Sequence, residues 1–185
     1  MSAASGKGPL QGLAAALRES PALWWSFLYF FCLLSGYYVL RPVREAMAAS
    51  ADLETVFPPV LITWFASHGI ALKDFVLQFL FSCVFVIMLV LQPVYGWLVS
   101  RFPRRVFLPV VYGFFIVTLL GFYALFDSHV PGRGMAFFLW VMVFNLFAVA
   151  VFWSFMADVF SNAQARAYYG YIGAAGTVGA FLGPL

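Results

Sequence analysis

Long apolar runs separated by short polar connections set the pattern of this chain. Five runs, 22–40, 75–100, 106–126, 135–160 and 168–185, are bounded by charge, proline or glycine. Each approaches or exceeds the roughly 20 residues that a helix needs to cross a hydrocarbon core about 30 Å thick. Helix is the expected form, because lipid offers backbone groups no other partner. Ser20 is a plausible cap for the first run, with Pro21 at the first helical position, where its missing N–H costs nothing. The expected architecture is all-α: a polytopic membrane helical bundle behind a polar segment, 1–21. Since the last run reaches Leu185, the chain reads as part of a longer protein.

Composition agrees with the pattern. Of 185 residues, 64% are hydrophobic, 21% aromatic and only 9% charged, with a mean hydropathy of +0.96. A soluble core has no use for such values. The net charge of +3 says little about nucleic acid, and no nucleic-acid partner is expected; the informative question is where the charges fall relative to the runs. Cys32 and Cys83 lie inside apolar runs and read as small hydrophobes. Ala46-Met47-Ala48 has the look of a signal cleavage site, but the preceding run is long, charges intervene, and four further runs follow.

Orientation follows from the short connections. Arg101-Phe102-Pro103-Arg104-Arg105 places three arginines within five residues, which favours the cytoplasmic side. Lys7, Arg18 and Arg166 then also fall inside, against Arg41, Arg44, Lys73 and Arg133 outside. The N-terminus is expected in the cytoplasm. Arg41 and Arg44 break the rule unless they serve a site within the protein. The segment 46–74 is long for an outer loop and has an apolar run of its own after Pro58-Pro59. It reads as an interfacial helix, a lid or an insertion. His68 and His129 read as ordinary loop histidines.

The chemistry concentrates in two places. At the end of the first run stand Arg41, Pro42, Val43, Arg44 and Glu45. If the helix continues past Leu40, Arg41 and Glu45 are one turn apart and can pair, with Arg44 near the same face. An unpaired charge near the bilayer centre costs about 2.5 to 3.5 kcal/mol on insertion scales, so such arginines face a cavity or a partner, or else snorkel to the headgroups. Because guanidinium donates two parallel hydrogen bonds to phosphate or carboxylate, an anionic small-molecule substrate is the corollary. In the fourth run stand Asn145 and, toward its inner end, Asp158. Asp158 could couple ion movement, order a basic group, or latch onto Arg101, Arg104 or Arg105; Asn145 suits a helix-to-helix hydrogen bond. The last run is glycine-rich, and Ala175–Gly179 and Gly179–Gly183 have the spacing that lets helices approach closely.

Other chemistries find no support in the pattern. There is no phosphate-binding loop of the Gly-x-x-x-x-Gly-Lys-Ser/Thr type, so a nucleotide here would be cargo rather than fuel. No histidine and cysteine set suggests a metal, no nucleophile stands beside a base, and no cofactor is expected.

The stretch from Gly96 through Arg101, Arg104 and Arg105 resembles the loop between helices two and three of the major facilitator superfamily. Gly179-Ala180-Phe181-Leu182-Gly183-Pro184 resembles its fifth-helix glycine–proline motif. Ser100 stands where that loop usually has aspartate, and Pro103 where it has glycine. A closer resemblance is to the ATP/ADP exchange branch and its bacterial relatives. It is carried by Tyr37-Tyr38-Val39-Leu40-Arg41-Pro42-Val43-Arg44-Glu45 and by Phe152-Trp153-Ser154-Phe155-Met156-Ala157-Asp158 with Gln164-Ala165-Arg166. It covers most of 29–185 except 46–74. The resemblance implies a twelve-helix carrier of the bacterial inner membrane, of which this chain is most of the first half, the missing C-terminal half being its partner. Helices one and four would line the cavity, with Arg41, Arg44, Glu45, Asn145 and Asp158 as substrate-binding residues. Gly96, Arg101, Arg104, Arg105, Arg166, Gly179, Gly183 and Pro184 would gate and pack. The implied activity is alternating-access exchange of an organic anion such as a nucleotide. A facilitator moving another solute with protons through Asp158, or a sensor that kept the fold without transport, are the alternatives.

Overall fold

The computed structural model describes residues 20–185, all but Arg104 and Arg105 with their side chains. The polar segment 1–21, with Lys7 and Arg18, therefore lies almost wholly outside the described residues. Among the described residues every regular element is helical: α1 (Pro21–Ala48), α2 (Leu53–Val56), α3 (Pro59–Ser67), a 3₁₀ turn (Leu72–Phe75), α4 (Val76–Arg101), α5 (Arg104–Phe126), α6 (Arg133–Val159) and α7 (Asn162–Leu182). Among the described residues four segments are long and apolar enough to cross a membrane: Pro21–Ala48, Leu72–Arg101, Val106–Phe126 and Arg133–Val159. The expected fifth span falls on α7. It is 21 residues long but less apolar, because Asn162, Gln164 and Arg166 occupy its first turns and glycine dilutes the rest.

Two boundaries differ from the apolar pattern. α1 does not stop at Leu40 but runs to Ala48 with Pro42 inside it, so the charged cluster is helical. α7 starts six residues before Tyr168. Ser161 accepts a hydrogen bond from the Gln164 amide while the Gln164 side chain accepts from the Ser161 amide. This reciprocal cap satisfies amides that would otherwise lack partners, and it sets the start of the helix regardless of hydropathy.

The chain packs as two compact units, one of residues 20–39 with 152–185, the other of residues 40–151. In the first, aromatic stacking joins α1 to the end of α6: the Phe30 and Phe152 rings lie 4.5 Å apart, inclined by 22°. Phe152 is fully buried. α7 meets α1 at backbone distance. A Cβ built on Gly179 would lie 2.5 Å from the Phe31 carbonyl oxygen, and one on Gly183 would lie 2.6 Å from that of Ser35. The Ser35 hydroxyl donates to the Gly179 carbonyl at 3.0 Å. Small residues are needed here because two helix backbones occupy the space a side chain would take.

In the second unit, the segment 46–74 is an ordered cap. Val56, Phe57 and Leu72 form a buried core with Ala48 of α1, Leu80 of α4 and Phe138 of α6. Phe57 and Phe65 both meet the Phe79 ring edge-on, at 5.6 and 5.3 Å. Gly132, at φ 78°, donates its N–H to the Glu54 carbonyl at 2.8 Å. A side chain there would collide with Pro58. α5 and α6 are joined by an aromatic ladder in which Phe115 meets Phe144 at 5.0 Å and Phe122 meets Phe137 at 5.4 Å. The Trp140 indole donates to the Thr118 hydroxyl at 2.9 Å, giving a polar group inside the bilayer the partner it requires.

Candidate functional site: a buried arginine near the end of α1

The extension of α1 past Pro42 places Arg41, Arg44 and Glu45 on consecutive turns. Arg41 Nε donates to Glu45 Oε1 at 2.9 Å, and Arg44 Nη2 donates to the same oxygen at 3.0 Å. One carboxylate is thus shared by two guanidiniums, and the three groups together carry a formal charge of +1. Their environments differ sharply. The side chains of Arg41 and Glu45 are about half exposed, at 48% and 53%, whereas that of Arg44 is 6% exposed.

What buries Arg44 is α6. The guanidinium carbon sits 5.0 Å from the centre of the Phe138 ring, and Nη1 donates to the Met142 sulfur at 3.2 Å. Phe138 and Met142 are one helical turn apart, so a single face of α6 holds the arginine by its ring and its thioether. Phe138 is itself fully buried. The planar fork is therefore positioned before any ligand arrives. Asn145 lies three residues beyond Met142, half-buried, about 4.5 Å further along the same helix face.

The remaining candidate residues are distributed as follows. Gly96 lies on α4, where an added Cβ would meet open space. Arg101 ends α4 and is exposed, and Arg104 and Arg105 open α5. In the other unit, Asp158 is exposed next to the last residue of α6, and Arg166 is exposed in the second turn of α7. Gly179 and Gly183 are the close-approach glycines facing α1, with Pro184 following directly. The structure brings together Arg41, Arg44 and Glu45.

Phe138 and Met142 escaped sequence reasoning, because a Phe and a Met in an apolar helix look like any other lipid-facing pair. The usable signal was their four-residue spacing, which suits a guanidinium pressed against one helix face. Gln92 and Tyr95 were likewise passed over. They line a cavity of about 170 Å³ with Leu91, Leu146, Phe147 and Ala150, between α4 and α6.

A family model described as the Major Facilitator Superfamily matches residues 2–184. No curated protein and no solved structure matches the chain.

Proposed function

Because the chain belongs to the major facilitator superfamily, and so to a family of integral membrane transporters and not enzymes, we propose that it carries an organic anion by alternating access, with Arg44 as the group that holds the anion. The observation that carries this reading is the burial of Arg44 against Phe138 and Met142 while it shares Glu45 with Arg41. A guanidinium held in place loses little freedom when it forms two parallel hydrogen bonds to a phosphate or carboxylate. Glu45 acts as the resident anion. When a substrate phosphate enters, it competes for the two arginines, and Glu45, half exposed, swings aside. When the substrate leaves, Glu45 closes again on both arginines. Even so the cluster keeps a formal charge of +1 that only a bound anion offsets, so reorientation with the site empty of substrate is disfavoured, and outward movement of one anion is tied to inward movement of another.

A nucleotide is the anion this reading favours, on the strength of the resemblance of 37–45 and 152–166 to the ATP/ADP exchange branch. The three arginines of 101–105 support a cytoplasmic N-terminus, and the resemblance to the bacterial members of that branch supports the inner membrane as its location. Asn145 and Asp158 are further substrate-side candidates on α6.

The test is uptake of labelled ATP by liposomes holding the full-length protein, with and without internal ADP. Uptake that requires internal ADP is expected. It should fall about 30-fold or more in Arg44→Ala, the scale for truncating a buried charged partner, and by no more than about threefold in Arg41→Ala, whose pair is exposed. Unchanged uptake by a folded Arg44→Ala protein would remove Arg44 from the site. A folded parent that takes up no nucleotide would rule out that solute and leave other organic anions to be tried.

A further inference from the structure

A second cavity, which Arg44 does not line, lies between α4 and α5. It is a groove of about 560 Å³, formed by side chains of 91–102 and 106–115 and floored by Val143 and Phe147 of α6. Every lining side chain is Leu, Val or Phe, so it offers nothing to a polar solute. It begins at the Phe102–Pro103 connection and runs along both helices. At 1.5 Å per residue that is about 16 Å on α4 and about 14 Å on α5, close to half of a hydrocarbon core about 30 Å thick. A groove one leaflet deep has the dimensions of an acyl chain.

Apolar lining alone selects no lipid, since a chain leaving bulk hydrocarbon for this groove gains no hydrophobic energy. Selection must come from the headgroup end, and there the charge is concentrated. Arg101, exposed, stands next to Phe102 of the lining, and the connection 101–105 carries two more arginines in its sequence. α5 starts at Arg104 behind Pro103, which supplies no side-chain cap, so the positive end of that helix faces the same place. Trp97, more than half exposed and edge-on to Phe102 at 6.2 Å, lies one turn before Arg101, and amphipathic rings of this kind settle at headgroup depth.

We propose that an anionic phospholipid occupies this groove, one acyl chain lying between α4 and α5 and its phosphate held at the arginine connection. None of the groove's lining residues touches Arg44 among the contacts described above. A basic pocket between membrane helices is the setting in which anionic headgroups are recognised, and each arginine near the surface adds about fivefold in affinity.

The experiment is native mass spectrometry of the full-length protein exchanged into mixed dioleoyl phosphatidylglycerol and dioleoyl phosphatidylcholine. Retention of phosphatidylglycerol over phosphatidylcholine by tenfold or more is expected. Arg101→Gln should reduce that preference about fivefold, and Val110→Trp, which fills the groove, should lower phosphatidylglycerol retention at least tenfold in a protein of unchanged helicity. Glycerophosphoglycerol, the same headgroup without acyl chains, should not displace the lipid. Equal retention of the two lipids would overturn the proposal. So would a preference that survives both substitutions, as expected if another helix of the carrier fills the groove, or displacement by the chain-free headgroup at equal concentration.

Discussion

Two spans of this molecule are nearly indistinguishable by hydropathy and opposite in environment. The apolar 18-residue windows within Leu72–Arg101 and Arg133–Val159 have mean hydropathies of 2.5 and 2.4, yet 6% of the first window is buried against 39% of the second. In water such a difference would be written in the sequence as a polar face. In lipid it is not, because the solvent is as apolar as the core, and a phenylalanine is equally at home against a chain of lipid or a neighbouring ring. Phe85 on α4 and Phe138 on α6 illustrate this: the first is 64% exposed and the second fully buried.

That pair gives the sharpest way to break the comparison. Phe138→Ala removes a ring packed on the 46–74 cap and on Arg44, and is expected to cost about 3 to 5 kcal/mol, whereas Phe85→Ala should stay within about 0.5 kcal/mol. Unfolding of the full-length protein in mixed micelles measures both, and equal effects would mean that α4 is covered in the native membrane. Glycines offer the next contrast. Gly179→Leu forces a side chain into the Phe31 carbonyl and should cost about 3 kcal/mol, the upper end for overpacking. Gly121→Leu on α5 meets open space and should be neutral within about 0.5 kcal/mol.

Smaller effects sharpen the same point among the hydroxyls. Thr118→Ala removes the acceptor of the Trp140 indole and should cost about 0.6 kcal/mol, the average for hydrogen bonds between membrane helices. Ser82→Ala on α4 should cost less, since that hydroxyl donates only to the Gln78 carbonyl of its own helix. The smallest effect lies outside the spans, at Asp52. The Thr55 hydroxyl, helped by the Glu54 amide, holds its carboxyl below the ordinary 3.8. A depressed value means the folded state favours the ionised form. Its support for α2 is therefore complete above pH 3.8 and is lost as pH falls below that toward the folded value. Amide exchange of Leu53–Val56 should quicken over that interval in the parent and change little in Asp52→Ala.

Much of the helical layout could be read in the apolar runs, and the reasons for the misses are specific. The expected ends of α4 at 75–100, of α5 at 106–126 and of α6 at 135–160 lie within two residues of the helices observed, because charge, glycine or the capping Ser161 bounds each of those runs. α1 outran its apolar stretch because nothing in Arg41–Glu45 stops a helix: Arg41 and Glu45 form a pair one turn apart, and Pro42 interrupts the hydrogen-bond ladder without ending it. α7 began early because Ser161 and Gln164 make a cap, a signal present in the sequence as Ser-x-x-Gln and overlooked in favour of hydropathy. The order of 46–74 was illegible, since its partners Leu80 and Phe138 carry no mark that distinguishes them from lipid-facing residues. Within the candidate site, the pairing of Arg41 with Glu45 was legible from their spacing, while the burial of Arg44 was not.

Composition and run length alone decide that this chain lives in a membrane and crosses it as helices, because insertion depends on a sum of side-chain transfer energies over about 20 neighbouring residues. Local chemistry likewise decides where a helix such as α7 begins. Only the tertiary structure decides which of two arginines three residues apart is withdrawn from its surroundings and which glycine touches another backbone. Arg44 reaches Met142, 98 residues away, and Ser35 reaches Gly179, 144 residues away. Over such separations, in a solvent as apolar as the protein interior, hydrophobic pattern carries no information about which side chain will find which neighbour; close packing and the need to give every polar group a partner settle it.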